Sequence, residues 1–298
     1  MMATNNQIMA AGVLESERPV LHLSGPKLTE RFQALINGSE NDGGIERYVT
    51  AVNLKVSLFK EAVADCKARK LHLEDFKRLC AFIAPVRRRI APWLGSNSFQ
   101  TLQNGIGDLL NDTNDTTTTD MRIAAFCKLF PEDKKHRWVR DLAAELLHYT
   151  NPERYPLMNR WIWDSKSNSG VLREIWHGDN VDGMVIDIPD GYETFLVLRE
   201  ELSQFLTDNG VFRDILYYVD LLCAQIYADY ICSQGGAFLR TDFSAEEDPM
   251  QYTRRMIGLD GIKARSAKTR LKDINGEAFE IEEAKKLDWS EGDAHAHS

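Results

Sequence analysis

Two groups of residues in this sequence have the types and spacing to do chemistry. Glu145 and His148 stand three residues apart in the run from Trp138 to Tyr149, and on a helix that spacing sets a carboxylate beside an imidazole. Such a pair serves as two metal ligands or as an acid and a base, with Asn159 as a third member of a pocket around it. No second ligand set at metal spacing accompanies the pair, so the plainer reading of His148 is a packed, hydrogen-bonded ring. We expect no metal site and no cofactor. His295 and His297, near the end of the sequence, read as incidental.

The second group is basic. Arg87, Arg88 and Arg89 are consecutive; Lys134, Lys135, Arg137 and Arg140 fall within seven residues; Lys263, Arg265, Lys268, Arg270 and Lys272 share a run without acids. Two such clusters brought together would track a phosphate chain, with Trp138, Trp161 or Trp163 to stack on a base. Solvated helix faces are the commoner fate of charge runs. Trp161, Trp163 and Trp176 read first as core, because aromatics bury the largest apolar areas. No phosphate loop, nucleophile elbow or dinucleotide fingerprint occurs.

The elements that must position these residues are helices. Leu28, Phe32, Leu35 and Ile36 mark one apolar stripe after Pro26, and Tyr48, Val52, Val56, Phe59 and Val63 mark another over Ile45 to Ala68. Phe76, Leu79, Cys80 and Ile83 continue the pattern from Leu73 toward Ile90, interrupted by Pro85. Further helices are expected over Met121 to Phe130, Trp138 to Tyr149, Thr194 to Leu206 and Val211 to Ile231. Met184 to Ile188 is the one strand-like run. The expected fold is therefore all-α: a multi-helix globular bundle of residues 26–236 behind an N-terminal arm of residues 1–25. The polar stretch Asn111 to Asp120 offers a sub-boundary, ending in an N-cap at Thr119 or Asp120. After Gly235 and Gly236 the periodicity fades, so residues 237–298 read as an extended C-terminal appendage that wraps the core or stays mobile.

A hydrophobic fraction of 43% in 298 residues is enough for a sizeable core. The net charge of −9 argues against a protein that coats nucleic acid indiscriminately, and leaves room for a local basic patch. The five cysteines are scattered and read as buried thiols. No run approaches the roughly 20 apolar residues of a membrane span, and no leader pattern opens the chain, so a cytoplasmic protein without a membrane partner is expected.

Trp138 to Trp163, reading W-V-R-D-L-A-A-E-L-L-H-Y-T-N-P-E-R-Y-P-L-M-N-R-W-I-W, resembles the helix-hairpin-helix DNA glycosylase superfamily. The likeness lies in a small-residue helix followed by Asn-Pro-Glu-Arg-Tyr-Pro and a second helix start at Pro156; Tyr192 to Phe195 and Leu216 to Leu222 are similar to its closing helices. The resemblance implies a glycosylase-like fold and contact with DNA. In that superfamily a glycine-rich hairpin before the small-residue helix offers amides to a phosphate, and an aspartate after the second proline promotes loss of a base. Here the hairpin position, Lys134 to Val139, has no glycine, so Lys134, Lys135, Arg137, Trp138 and Arg140 would meet DNA through side chains. The aspartate position is Asn159, and the lysine of the lyase members would fall near Asp141, an acid.

A non-catalytic binding protein, with DNA as the ligand, is thus the leading expectation. The alternative is an accessory protein docking through residues 237–298 onto a larger bacterial complex. Arg240 to Met256 is faintly similar to uncharacterised proteins found among nitrogen-fixation genes, which makes a metalloenzyme such as a nitrogenase system the implied partner. The third reading is an enzyme built on Glu145, His148 and Asn159.

Overall fold

The computed structural model describes residues 18–178, 180–234, 250–263, 268–272 and 278–280. The fold is mostly helical. Helix α1 spans Gly25–Ser39, with Pro26 in its first turn, where a missing N–H costs nothing. Gly43 and Gly44, at φ 89° and 90°, turn the chain into α2, Ile45–Val63. Helix α3, Leu73–Ala81, is followed by the single turn α4, Ala84–Arg87, which Pro85 starts. A fifth helix that the apolar spacing did not suggest, α5, runs Ser96–Leu109, and α6 runs Thr119–Cys127.

Helix α7, Trp138–Thr150, is the centre of the molecule: eleven of its thirteen residues are buried. Ala143 and Ala144, both fully buried, let α2, α4 and α6 come close to it. After a turn of helix, α8 at Val171–Glu174, come α9, Tyr192–Asp208, and α10, Ile215–Gln234. Helix α10 packs on α1, α2, α8, α9 and the short α11, Gln251–Met256. By length and composition α10 would also cross a membrane, contrary to the sequence expectation. In this fold it is a core helix, with Leu221, Leu222 and Ala224 fully buried, and with Asp220 bonded to His148 and Asp229 to Arg31.

Several expectations change. The all-α prediction holds for the bulk of the chain, and three short antiparallel strands are added to it: β1 Ile262–Lys263, β2 Lys268–Lys272 and β3 Ala278–Glu280, in the order β1-β2-β3. Met184 to Ile188 forms no strand. Its Ile186 is buried while Val185 is 81% exposed, and its backbone bonds go to side chains instead, Asn168 Oδ1 for the Ile186 N–H and the Trp163 indole for the Ile188 carbonyl. No helix starts at Pro156: the Tyr155 carbonyl before it is bonded to the His148 ring, and the Arg160 N–H after it donates to the Asp141 carboxylate instead of to a helical carbonyl. The Asn111 to Asp120 loop joins α5 to α6 within one core. Asp115, in place of Thr119 or Asp120, supplies the local cap, and the Asp120 carboxylate caps α9 instead by accepting from the Tyr192 N–H at 3.0 Å. Cys66 and Cys232 are exposed; Cys80 and Cys223 are buried.

Of the two readings of the C-terminal segment, residues 250–261 follow the one that packs on the core. Met250, Thr253, Ile257 and Leu259 are buried in the same core as the helices before residue 236. The approach is tight enough to require glycine twice. At Gly258, φ 76°, an added Cβ would lie 1.7 Å from the Phe82 carbonyl oxygen, and at Gly261 2.4 Å from that of Ala81. Gly258→Ala is therefore expected to cost about 3 kcal/mol through clash and strain, read as a lower denaturation midpoint. An unchanged midpoint would mean that residues 250–261 are not held against Phe82.

Candidate functional site

On α7 the residues at i, i+4 and i+7, namely Asp141, Glu145 and His148, lie on one helical face, and all three are at most 2% exposed. Buried polar groups need partners, and each of these has them. The His148 ring sits between the Tyr155 carbonyl and the Asp220 carboxylate, both at 2.8 Å. Asp141 accepts from the Arg160 backbone N–H at 3.0 Å and from its guanidinium at 2.8 Å. Glu145 accepts from Asn159 Nδ2 at 2.9 Å and from Lys55 Nζ at 2.9 Å.

Lys55 is fully buried. Its ammonium also donates to the Phe82 and Ile257 carbonyls, each at 2.8 Å, and stands 3.7 Å from the centroid of the Tyr149 ring. Three acceptors for three ammonium hydrogens is the arrangement of the charged form, and the ring face adds a cation–π contact. Burial pushes Lys55 below the usual lysine range and Glu145 above the usual carboxylate range, and each charge opposes the shift of the other. The expected acid-base or ligand pocket of Glu145, His148 and Asn159 is thus a closed packing arrangement: Asn159 is fully buried. Among the described residues no group of three or more His, Cys, Asp or Glu side chains gathers to hold a metal.

Lys55 escaped the sequence reading although it left a signal. It falls between Val52 and Val56 in the α2 stripe, where a charge must either find partners or break the core.

The basic clusters have separate fates. Asp133 accepts from the Lys135 and His136 N–H groups and shapes a tight turn over Lys134–His136 without glycine. Lys134, Lys135 and Arg137 are exposed. Trp138, expected to stack on a base, is 1% exposed and rests against Phe130. Arg140 pairs with Asp190. Of the C-terminal cluster, Arg265 lies outside the described residues, as do His295 and His297, and β1 and β2 carry the remaining lysines and Arg270.

Two clusters do meet. Arg88 and Arg89 from the turn after α4 line a cleft of about 550 Å³ with Arg137, Arg160 and Arg255. Trp161, Tyr227 and Met256 form its apolar wall; Asp141 and Asp164 are its acids. Asp141 is already matched by Arg160, while Arg88, Arg89 and Arg137 are exposed and form no ion pair with a described residue. Trp161 is 8% exposed and Trp163 and Trp176 are buried too, as the core reading of these residues expected; the Trp161 indole N–H and Arg160 Nε are buried without an acceptor among the described residues. The site is electropositive and partly aromatic, which suits an anion that also presents a flat ring.

Comparison with family models, with curated proteins and with solved structures finds no match to this chain.

Two substitutions test the buried arrangement. Lys55→Met leaves Glu145 uncompensated and is expected to cost about 3–5 kcal/mol, part of which Lys55→Met with Glu145→Leu recovers; equal losses would show that the pair is not coupled. Asn159→Asp, which restores the superfamily's aspartate, sets a carboxyl against Glu145 in the core. Its affinity for a proton rises on folding, so the variant should be destabilised at neutral pH and regain stability as pH falls. Stability equal to the parent at pH 7 would place Asn159 outside the core.

Proposed function

We propose that this protein acts by binding nucleic acid in the arginine-lined cleft, and that it does so without catalysis. The observation that carries the reading is the convergence of Arg88, Arg89 and Arg137 on one concavity beside Trp161 and Tyr227 in a protein of net charge −9. Positive charge collected in a cleft of an otherwise acidic molecule selects a polyanion locally and repels it elsewhere. Guanidinium groups suit phosphates because their fork of donors matches two oxygens at once.

The absence of catalysis in this reading is supported at the position where the glycosylase resemblance puts its aspartate. Asn159 is an amide, buried and engaged with Glu145, and so is withheld from any ligand in the cleft. A glycosylase-like arrangement of the helices belongs to the same proposal, on the strength of the small-residue helix α7 and the closing helices α9 and α10. A cytoplasmic location is part of it as well.

The accessory-protein reading, with a nitrogenase-type complex as partner, draws on residues 237–298. Within residues 250–261, Met250, Thr253, Ile257 and Leu259 are engaged in the protein's own core and are not open to a partner.

Fluorescence anisotropy of a labelled DNA oligonucleotide tests the proposal. Binding is expected at low salt, with a slope of about −2 to −3 in log affinity against log salt for three phosphate contacts. Arg88→Glu with Arg137→Glu should weaken it by about tenfold or more at an unchanged denaturation midpoint. No binding at low salt would overturn the reading.

A further inference from the structure

The arginine cleft does not end at Trp161. Ser167 and Ser169, on the turn closed by the Asp164 to Ser169 bridge, line it and also line a second concavity of about 510 Å³. That concavity carries Tyr230 on its wall and Met184 and Val185 at its edge, the latter 42% and 81% exposed. Three aromatic rings span the two. Trp161 and Tyr227 have centroids 5.7 Å apart, and Tyr227 and Tyr230 are again 5.7 Å apart, with both tyrosines half-buried on α10. Their three-residue spacing keeps them on one helical face.

The geometry points to a single-stranded polynucleotide a few residues long as the ligand of this joined groove, an inference that rests on the nucleic-acid reading of the cleft. Arg88, Arg89 and Arg137 hold phosphates at one end. The half-buried rings of Tyr227 and Tyr230 receive bases along the groove, and Trp161, 8% exposed, packs against Tyr227 and holds it in place. In a duplex each base face is covered by its stacked neighbour, so ring faces inside a groove are available to unpaired bases only.

Anisotropy at low salt with labelled dT10, the same strand annealed to its complement, and unlabelled dTMP as competitor separates the possibilities. The inference expects dT10 to bind at least tenfold tighter than the duplex, dTMP to compete only at far higher concentration, and shortening from dT10 to dT4 to lose little. Tyr227→Leu with Tyr230→Leu should weaken dT10 by about tenfold and leave any duplex binding unchanged. Each variant is checked for an unchanged denaturation midpoint, and if the double variant does not fold, Tyr230→Leu alone gives the reading. Duplex bound as tightly as dT10, dTMP competing on equal terms, or dT10 affinity unmoved by the tyrosine substitutions would each overturn the single-strand inference while the nucleic-acid reading stands. Failure of both dT10 and duplex to bind would overturn both.

Discussion

One buried ammonium organises this molecule. Lys55 Nζ is bonded at once to the Glu145 carboxylate of α7, to the Phe82 carbonyl after α3 and to the Ile257 carbonyl after α11. Asn159 completes Glu145 from a fifth stretch of chain. A charge taken out of water is tolerated only when its partners are all in place, so these five stretches are fixed relative to one another or the core fails. The bulk of the stability comes from apolar burial around this point. The ammonium decides which arrangement of the apolar helices is the acceptable one, and it is why residues near 257 belong to the core.

The same constraint places the cleft. Asp141, one helical turn before Glu145, binds both the backbone and the guanidinium of Arg160, and Trp161 follows directly. Arg255 stands two residues before the Ile257 carbonyl that Lys55 holds. Arg87 is buried and paired with Asp260, which anchors the turn from which Arg88 and Arg89 project. Each wall of the cleft is thus fastened to the polar stripe of α7 or to a segment that the stripe holds, and the uncompensated arginines ride on rigid supports. The backbone from which these charges project is therefore in place before an anion arrives, and only the exposed side chains remain to be ordered.

Much of the helical framework was legible from apolar spacing, and α1, α2, α7, α9 and α10 all lie within a few residues of where the stripes put them. Helix α5 was not, since its polar Ser96 to Gln103 half masks the stripe of Leu102, Ile106 and Leu109. Met184 to Ile188 looked like a strand because β-branched residues were counted without a partner strand to receive them. Pro156 looked like a helix start because nothing local reveals that Asn159 and Arg160 are claimed by Glu145 and Asp141. The site divides in the same way. Arg87 to Arg89 and Arg137 stood out as charge, yet only tertiary folding brings them together. Lys55 carries the clearest signal of the buried network, a lysine in the middle of a stripe that runs from Tyr48 to Val63.

The central claim is that the surface from Arg88 across Trp161 to Tyr230 is where nucleic acid lies. Ultraviolet cross-linking of the full chain to a short single strand carrying bromodeoxyuridine at each position in turn, followed by mapping of the linked peptides, addresses it directly. The account predicts adducts on the peptides that hold Trp161, Tyr227 and Tyr230, lost when Arg88 and Arg137 are replaced by glutamate. Adducts confined to other peptides, or adducts unchanged by those replacements, would contradict it.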